Sequence, residues 1–163
     1  MRLAVLTLMA LTLTACGFKP MHAPGAFSET SYSFDKISVT NAVEDKPNFL
    51  LKQALRDRFG DNQNTPYELT ISPKVTRGGL GIGADDVASR YDMRMTARYD
   101  LKDTKTGKSV HKGTVTSIST FAAPRDPYGT IAAENNATEQ VARETADRII
   151  VKLASYFETL DKE

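Results

Sequence analysis

One segment of the sequence alternates too regularly to form a helix. From Arg90 to Leu101, an apolar residue takes every second position and a charged residue or threonine takes the others. Successive side chains of a strand point to opposite faces, so the segment predicts a strand with one buried and one solvent-facing side. The predicted buried side consists of Tyr91, Met93, Met95, Ala97, Tyr99 and Leu101.

Three further segments predict strands that can pair with this one. A turn over Asp103–Lys108, with Gly107 near its end, leads into a threonine-rich strand over Ser109–Phe121. Upstream, Tyr67, Leu69 and Ile71 alternate with polar residues, and Pro73 is expected to close their strand. The first strand is marked by Tyr32, Phe34, Ile37 and Val39, with a slip in the alternation between Phe34 and Ile37 that suggests a bulge or a late start.

Two segments show helical periodicity instead. Over Pro47–Phe59 the apolar residues Leu51, Leu55 and Phe59 recur every fourth position, and Gly60 offers a C-terminal cap. A long final helix is predicted from about Ile131 to Leu160, after a segment broken by prolines and Gly129.

These elements predict an α+β domain. Their order is β-α-β-β-β-α, and a four-stranded, mainly antiparallel sheet with two helices on one face buries all the apolar stripes. The sequence shows no internal repeat and no second domain.

The N-terminus has the layout of an export signal. Arg2 is followed by an apolar run from Leu3 to Leu13, which is shorter than the roughly 20 residues that span a bilayer. Leu13-Thr14-Ala15-Cys16 resembles a bacterial lipobox, and Cys16 is the only cysteine of the 163-residue chain. The alternative is a short buried helix followed by an incidental cysteine.

The export signal divides the chain into three predicted parts. Residues 1–15 are expected to be a lipoprotein signal peptide, 16–30 a lipidated tether rich in proline and glycine, and 31–163 the folded domain. Acyl chains on Cys16 would attach the domain to a membrane.

Charge and composition exclude several classes of function. Arg2 is one of the 21 basic side chains of the chain, so the basic side chains after residue 15 equal the 20 acidic ones in number. Nucleic acid is therefore not expected as a partner.

Gly78–Gly83 resembles a phosphate-binding loop, but no Gly-Lys-Ser/Thr follows it. We therefore predict a mobile connection there and solvated charge at Asp85 and Asp86. His22 and His111 lack the spacing of a metal site or a catalytic triad, and no cofactor or enzymatic activity is expected.

Arg77, Arg90, Arg94 and Arg98 are the candidate binding residues. With Lys74 they cluster at the end of the second predicted strand, beside the predicted glycine connection, and on one face of the alternating strand. Guanidinium groups match phosphate and carboxylate well, which favours contact with a phosphorylated lipid or a protein. A solvated sheet face, with cross-strand pairs to Asp92 and Asp100, is the alternative.

Cys16-Gly17-Phe18-Lys19-Pro20-Met21 resembles the start of mature lipopolysaccharide-assembly lipoproteins of the LptE family, in its alphaproteobacterial branch. Two further segments, 91–96 and 128–148, resemble that family's third strand and the approach to its final helix. The resemblance implies a non-enzymatic outer-membrane lipoprotein that plugs the β-barrel translocon LptD and helps to deliver lipopolysaccharide to the cell surface. Gly17 after the acylated cysteine is consistent with sorting to the outer membrane.

The resemblance also places two lipopolysaccharide-binding positions. The first falls near Arg77 or Arg90, and the second near 133–135, where this chain has Glu134 instead of a basic residue. Direct lipopolysaccharide binding is therefore less strongly implied than the plug role. A lipid-anchored auxiliary or solute-binding subunit of another envelope transport complex is the alternative function.

Overall fold

The computed structural model describes residues 34–82, 88–124 and 126–160. A short 3₁₀ helix, Phe34–Lys36, precedes six elements: β1 (Ile37–Asn41), α1 (Lys46–Phe59), β2 (Tyr67–Ile82), β3 (Ala88–Asp103), β4 (Ser109–Ala122) and α2 (Pro127–Leu160). The predicted order β-α-β-β-β-α is confirmed. The predicted signal peptide, Cys16, the tether, Asp85 and Asp86 lie outside the described residues.

The four strands form one sheet in the order β1-β2-β3-β4. The β2–β3 and β3–β4 pairs are antiparallel, whereas β1 lies parallel to β2. A parallel pair needs a crossover connection, and α1 supplies it between these two strands. The sheet is thus mixed but mainly antiparallel, as expected.

The structure corrects two predictions about β2. The strand does not end at Pro73, and Gly78–Ile82 continue it instead of forming a loop, with Gly78 opposite Asp92 and Ile82 opposite Ala88. Proline is tolerated because of where β1 stops. The last hydrogen bond from the β1 side runs from the Ala42 amide to the Ile71 carbonyl. The nitrogen of Pro73 faces the same side of β2, beyond the end of β1, so its lack of an N–H removes no hydrogen bond between β2 and β3.

Both helices cover the same face of the sheet. Leu51 and Leu55 of α1 and Val141, Ile149 and Leu153 of α2 are fully buried against the apolar residues of the strands. The buried apolar residues of the sheet include Leu69, Ile71, Met93, Met95, Ala97 and Leu101. The opposite face carries the alternate residues and has no helix over it in the described ranges.

The final helix begins earlier than expected, at Pro127 instead of near Ile131. The Asp126 carboxylate accepts the Gly129 amide at 2.7 Å, and the Asp126 carbonyl accepts the Thr130 amide at 3.1 Å. An aspartate cap followed by proline in the first turn is a helix start signal. The Pro127 and Gly129 that predicted a break therefore belong to the helix.

Candidate functional site

The strand alternation separates the four predicted arginines into two groups. Arg90, Arg94 and Arg98 lie on the face of β3 that no described helix covers, which we call the open face, and all three are exposed. Arg77 is opposite Met93 in the register, so its side chain lies on the helix-covered face. The sequence placed all four close together, but the structure does not bring Arg77 to the others.

Lys74 joins Arg94 and Arg98 in a cationic triangle on the open face. It pairs with Thr96, the residue midway between the two arginines, so it is the diagonal neighbour of both. Diagonal neighbours in a sheet are roughly 7–8 Å apart, within reach of long side chains. The three cations can therefore contact one multivalent anion.

The carboxylates that could neutralise the triangle are bonded elsewhere. Asp92 accepts a hydrogen bond from the Thr120 hydroxyl at 2.7 Å, and Asp100 accepts one from the Ser109 hydroxyl at 2.6 Å. Among the described residues, neither aspartate forms an ion pair with Arg94 or Arg98. Each aspartate thus bonds to a hydroxyl of β4 and shares the face of β3 with the arginines without an ion pair to them in this part of the chain.

Hydroxyl groups and one apolar side chain surround these cations. Ser72 and Thr114 flank Arg98, and Thr76 and Ile118 flank Arg94. Ile118 is 40% exposed and Leu80, opposite Arg90, is 42% exposed. Charge, hydroxyls and exposed apolar groups on one face suit a ligand with both anionic and apolar parts. Sequence reasoning missed Leu80 and Ile118, although the alternation of β4 places Ile118 on this face.

Arg77 contacts two side chains on the other face of the sheet. Its Nη1 donates to Glu134 Oε2 at 3.0 Å, and its Cζ lies 3.9 Å from the centroid of the Tyr91 ring. Tyr91 in turn stacks on Phe121, with ring centroids 5.7 Å apart. Both charged side chains of the pair remain more than a third exposed, so a ligand can still reach them.

The Arg77–Glu134 pair joins the two positions that the family resemblance singled out. They are 57 residues apart in sequence and meet where the β2–β3 hairpin passes the first turns of α2. A basic residue at position 134 would make this point doubly positive, whereas Glu134 neutralises it. Lys74, Arg94 and Arg98, which form no ion pair among the described residues, lie on the open face instead.

A third polar cluster lies at the opposite end of the sheet. The Tyr99 hydroxyl and His111 Nε2 are 3.2 Å apart, and the His111 ring stacks on Tyr156 at 4.6 Å. Burial and the nearby Lys152 ammonium lower the pKa of His111, while burial raises the pKa of Tyr99. In the described ranges, no group of three His, Cys, Asp or Glu side chains is placed to hold a metal ion.

Comparison with known proteins identifies the family. The model of the lipopolysaccharide-assembly family LptE matches residues 34–153. The chain belongs to the LptE family. No curated protein matches the chain.

Solved structures agree with this assignment. A lipoprotein candidate from Caulobacter crescentus is 30% identical, with a TM-score of 0.68 over 80% of this chain and 96% of that one. The rare lipoprotein B of Shewanella oneidensis superposes with a TM-score of 0.59 at 17% identity, over 77% of this chain and 98% of that one. A minor lipoprotein of Acinetobacter baumannii gives 0.56 at 19% identity, over 75% and 92% of the two chains. At these lower identities the last two show a shared fold.

Membership in the LptE family confirms the sequence resemblance and assigns the chain to lipopolysaccharide assembly in the cell envelope. Within the described part of the chain, no helix is long and apolar enough to cross a membrane. The family match by itself specifies neither the partner nor the binding residues.

Proposed function

We propose that this LptE-family chain is an outer-membrane lipoprotein, acylated on Cys16 after removal of residues 1–15, that plugs the LptD β-barrel and assists its assembly for lipopolysaccharide insertion. The family match over residues 34–153 carries the proposal. Attachment through the lipid, with residues 16–30 as a tether, leaves the domain that begins at residue 31 free to enter the barrel from the periplasmic side.

The shape of the sheet supports a plug role. The described chain starts at Phe34, which stacks on Phe59 beside the beginning of β2. From there β2 extends for 16 residues, or roughly 50 Å at 3.3 Å per residue. Arg77 and Glu134 lie toward the far end. The sheet is therefore elongated, as a plug inside a barrel would need to be.

Lipopolysaccharide is the proposed ligand of the open face. Its phosphate groups would contact the cationic triangle, and its apolar portion would lie toward Ile118 and Leu80. Arg90 and Arg77 would be secondary contacts, the latter only after release from Glu134. Binding of this kind needs no bond making or breaking, so the chain is proposed to act without enzymatic activity.

A pull-down of the native lipoprotein from detergent-solubilised envelopes tests the proposal. We expect a large β-barrel protein to co-purify from the outer-membrane fraction. Recovery of an inner-membrane ATPase complex instead would contradict the plug role and support the auxiliary-subunit alternative.

The Cys16→Ser variant tests the anchor separately. It should lose detergent-phase partitioning and keep the thermal unfolding of the domain, because Cys16 precedes the proposed domain, which begins at residue 31. Detergent partitioning equal to that of the parent chain would refute lipidation at Cys16.

A further inference from the structure

An exposed ion pair joins the β2–β3 hairpin to the first turns of α2. Arg77 Nη1 donates to Glu134 Oε2 at 3.0 Å, and the two side chains are 39% and 38% exposed. Water solvates both charges whether or not they meet, so a pair of this kind adds little to stability. The pair can therefore open without loss of the fold, and another anion can take the place of the glutamate.

The guanidinium of Arg77 is placed to receive further acceptors. Its Cζ lies 3.9 Å from the centroid of the Tyr91 ring, which covers one face of the group. Among the described residues, Glu134 is the one side chain that accepts a hydrogen bond from it. Because a guanidinium carries five N–H donors in a planar fork, further donors remain for the oxygens of a phosphate or carboxylate.

The surface beside this guanidinium is bare on the hairpin side. Gly79 lies opposite Tyr91 in the register, so no side chain of β2 covers the ring at that position. Gly78 and Gly79 are both exposed, and consecutive glycines let a ligand approach the backbone closely. The ring and the guanidinium are therefore accessible from this side.

An exposed apolar side chain lies beside the glutamate on α2. Ile131 precedes Glu134 by three residues, so their Cβ atoms are neighbours on the helix surface, roughly 5–6 Å apart. Ile131 is 58% exposed, and Tyr128, one turn closer to the start of α2, is 84% exposed. A cation, an accessible ring and exposed apolar groups at one point suit a ligand with an acidic group and an apolar portion.

The outer edge of β2 connects this point with the open face. β1 ends opposite Ile71, so β2 has no described neighbour on its outer side beyond that residue. Lys74 of the cationic triangle precedes Arg77 by three residues on this strand, or roughly 10 Å at 3.3 Å per residue. A ligand with several acidic groups can therefore reach around the edge from the triangle to Arg77.

We propose that Arg77, Tyr91 and Ile131 form a second contact site for lipopolysaccharide. Glu134 occupies its anion position in the unloaded chain, and an acidic group of the ligand replaces the carboxylate on the guanidinium. Glu134 thereby restricts the site to acidic groups that bind Arg77 more strongly than one carboxylate does. The identity of the ligand rests on the proposed function, whereas the competition by Glu134 is a property of this site alone.

Lipopolysaccharide capture by the purified full-length lipoprotein at 0.1 M salt tests the competition. Glu134→Gln removes the competing charge at nearly constant size and should raise the affinity about two- to fivefold, the range expected for loss of an exposed ion pair. Glu139→Gln is the matched control, because it removes the same charge from an exposed glutamate of the same helix that also pairs with an arginine. It should leave the affinity unchanged.

The gain in Glu134→Gln must depend on Arg77. The double variant Arg77→Gln with Glu134→Gln should bind no more tightly than Arg77→Gln alone, because no cation is left to release. An equal gain without Arg77, or from Glu139→Gln, would reduce the effect to net charge and overturn the site. If the parent chain captures lipopolysaccharide and Glu134→Gln does so equally well, the competition is wrong. If no chain captures any, the proposed ligand is wrong as well.

Ile131→Ser tests the apolar part of the site. In the Glu134→Gln chain it should weaken capture at least about threefold, since burial of a single methylene group contributes about fourfold in affinity. Val43→Ser is the control, because Val43 is 59% exposed and lies between β1 and α1. Thermal unfolding shows whether each variant keeps its fold. Equal losses from both substitutions, or no loss from Ile131→Ser, would refute the arrangement.

Discussion

At the scale of single residues, Gly113 of β4 has no room for a larger side chain. A Cβ atom added there would lie 2.6 Å from the Tyr99 hydroxyl oxygen and 2.8 Å from its Cζ. The Tyr99 ring is 5% exposed and bonded to His111, so it cannot move without disturbing the core. Gly113 is therefore required by the packing of an aromatic ring over the strand.

We expect Gly113→Ala to destabilise the domain by about 1–3 kcal/mol, the usual effect of overpacking a well-filled site. Gly78→Ala is the control, since nothing lies within 4 Å of its added Cβ, and it should change stability by less than about 1 kcal/mol. Urea denaturation of both variants makes the comparison. Similar midpoints would show that Tyr99 has room to shift.

His111 makes the stability of the domain depend on pH. Burial, and then the Lys152 charge, lower its pKa in the folded protein, so the unfolded chain takes up this proton at a higher pH. Stability should therefore decrease as the pH falls from about 6.5 toward the lowered pKa. Tyr99 and Tyr156, the other groups that contact the ring, stay neutral in this range.

His111→Gln should remove this part of the pH dependence. Denaturation midpoints of the parent chain and the variant at pH 7.5 and pH 5.5 measure the difference. If both chains lose the same stability between the two values, another group is responsible.

The sequence predicted where most single residues lie but not what they contact. Alternation correctly put Arg94 and Arg98 opposite Met93 and Met95, because strand geometry is local. The partner of Arg77 could not be predicted in the same way. Glu134 is brought to it by the packing of α2 on the sheet, which no local pattern specifies.

At the scale of elements, α2 gives the clearest test of the core. Leu153 is fully buried and Phe157 is 2% exposed, while the neighbouring Lys152 is exposed. Phe157 also contacts Tyr67 at a ring-centroid distance of 5.4 Å and so ties the end of α2 to the start of β2. The stripe predicted from sequence is the face that packs on the sheet.

Leu153→Asp should unfold the domain or lower its stability by more than about 4 kcal/mol, because it buries a carboxylate without a partner. Lys152→Asp, one position away, should cost less than about 1 kcal/mol. Circular dichroism with thermal unfolding distinguishes them. Equal melting temperatures for the two variants would mean that the helix does not pack through this stripe.

The strands were predicted in number and order, and the errors concern their ends. Pro73 is an unfavourable residue in a paired strand, and only the early end of β1 makes it acceptable in β2. The same holds for Gly78 and Gly79, which are held in β2 by pairing with Asp92 and Tyr91 of β3. Both errors have one cause, since a neighbouring strand can override the local preference of a segment.

At the scale of the whole molecule, both helices cover one face of the sheet, and the other face has no helix over it in the described ranges. The helices and the apolar residues of the strands account for the covered face, and its composition predicted the α+β class. The parallel pairing of β1 was not predicted, because the pattern of a strand does not specify its direction. The open face is where the proposed ligand and the barrel would act.

The last prediction concerns the cationic triangle of the open face. Arg94→Glu combined with Arg98→Glu should leave thermal stability nearly unchanged, because both side chains are exposed and face away from the core. Lipopolysaccharide capture by the purified domain at 0.1 M salt should fall at least tenfold. A charge-assisted hydrogen bond contributes about 1.5–3 kcal/mol, and about 1.4 kcal/mol corresponds to a factor of ten in affinity.

The double variant Lys105→Glu with Lys108→Glu is the matched control for this pair, with the same change in net charge at exposed positions of the β3–β4 turn. It should bind lipopolysaccharide as the parent chain does. Raising the salt to 0.5 M should weaken capture by the parent chain and bring it closer to the arginine variant, because salt screens contacts between exposed charges. If the two double variants lose equal affinity, net charge alone governs binding. If neither loses any, Arg94 and Arg98 belong to a solvated face and the ligand binds elsewhere.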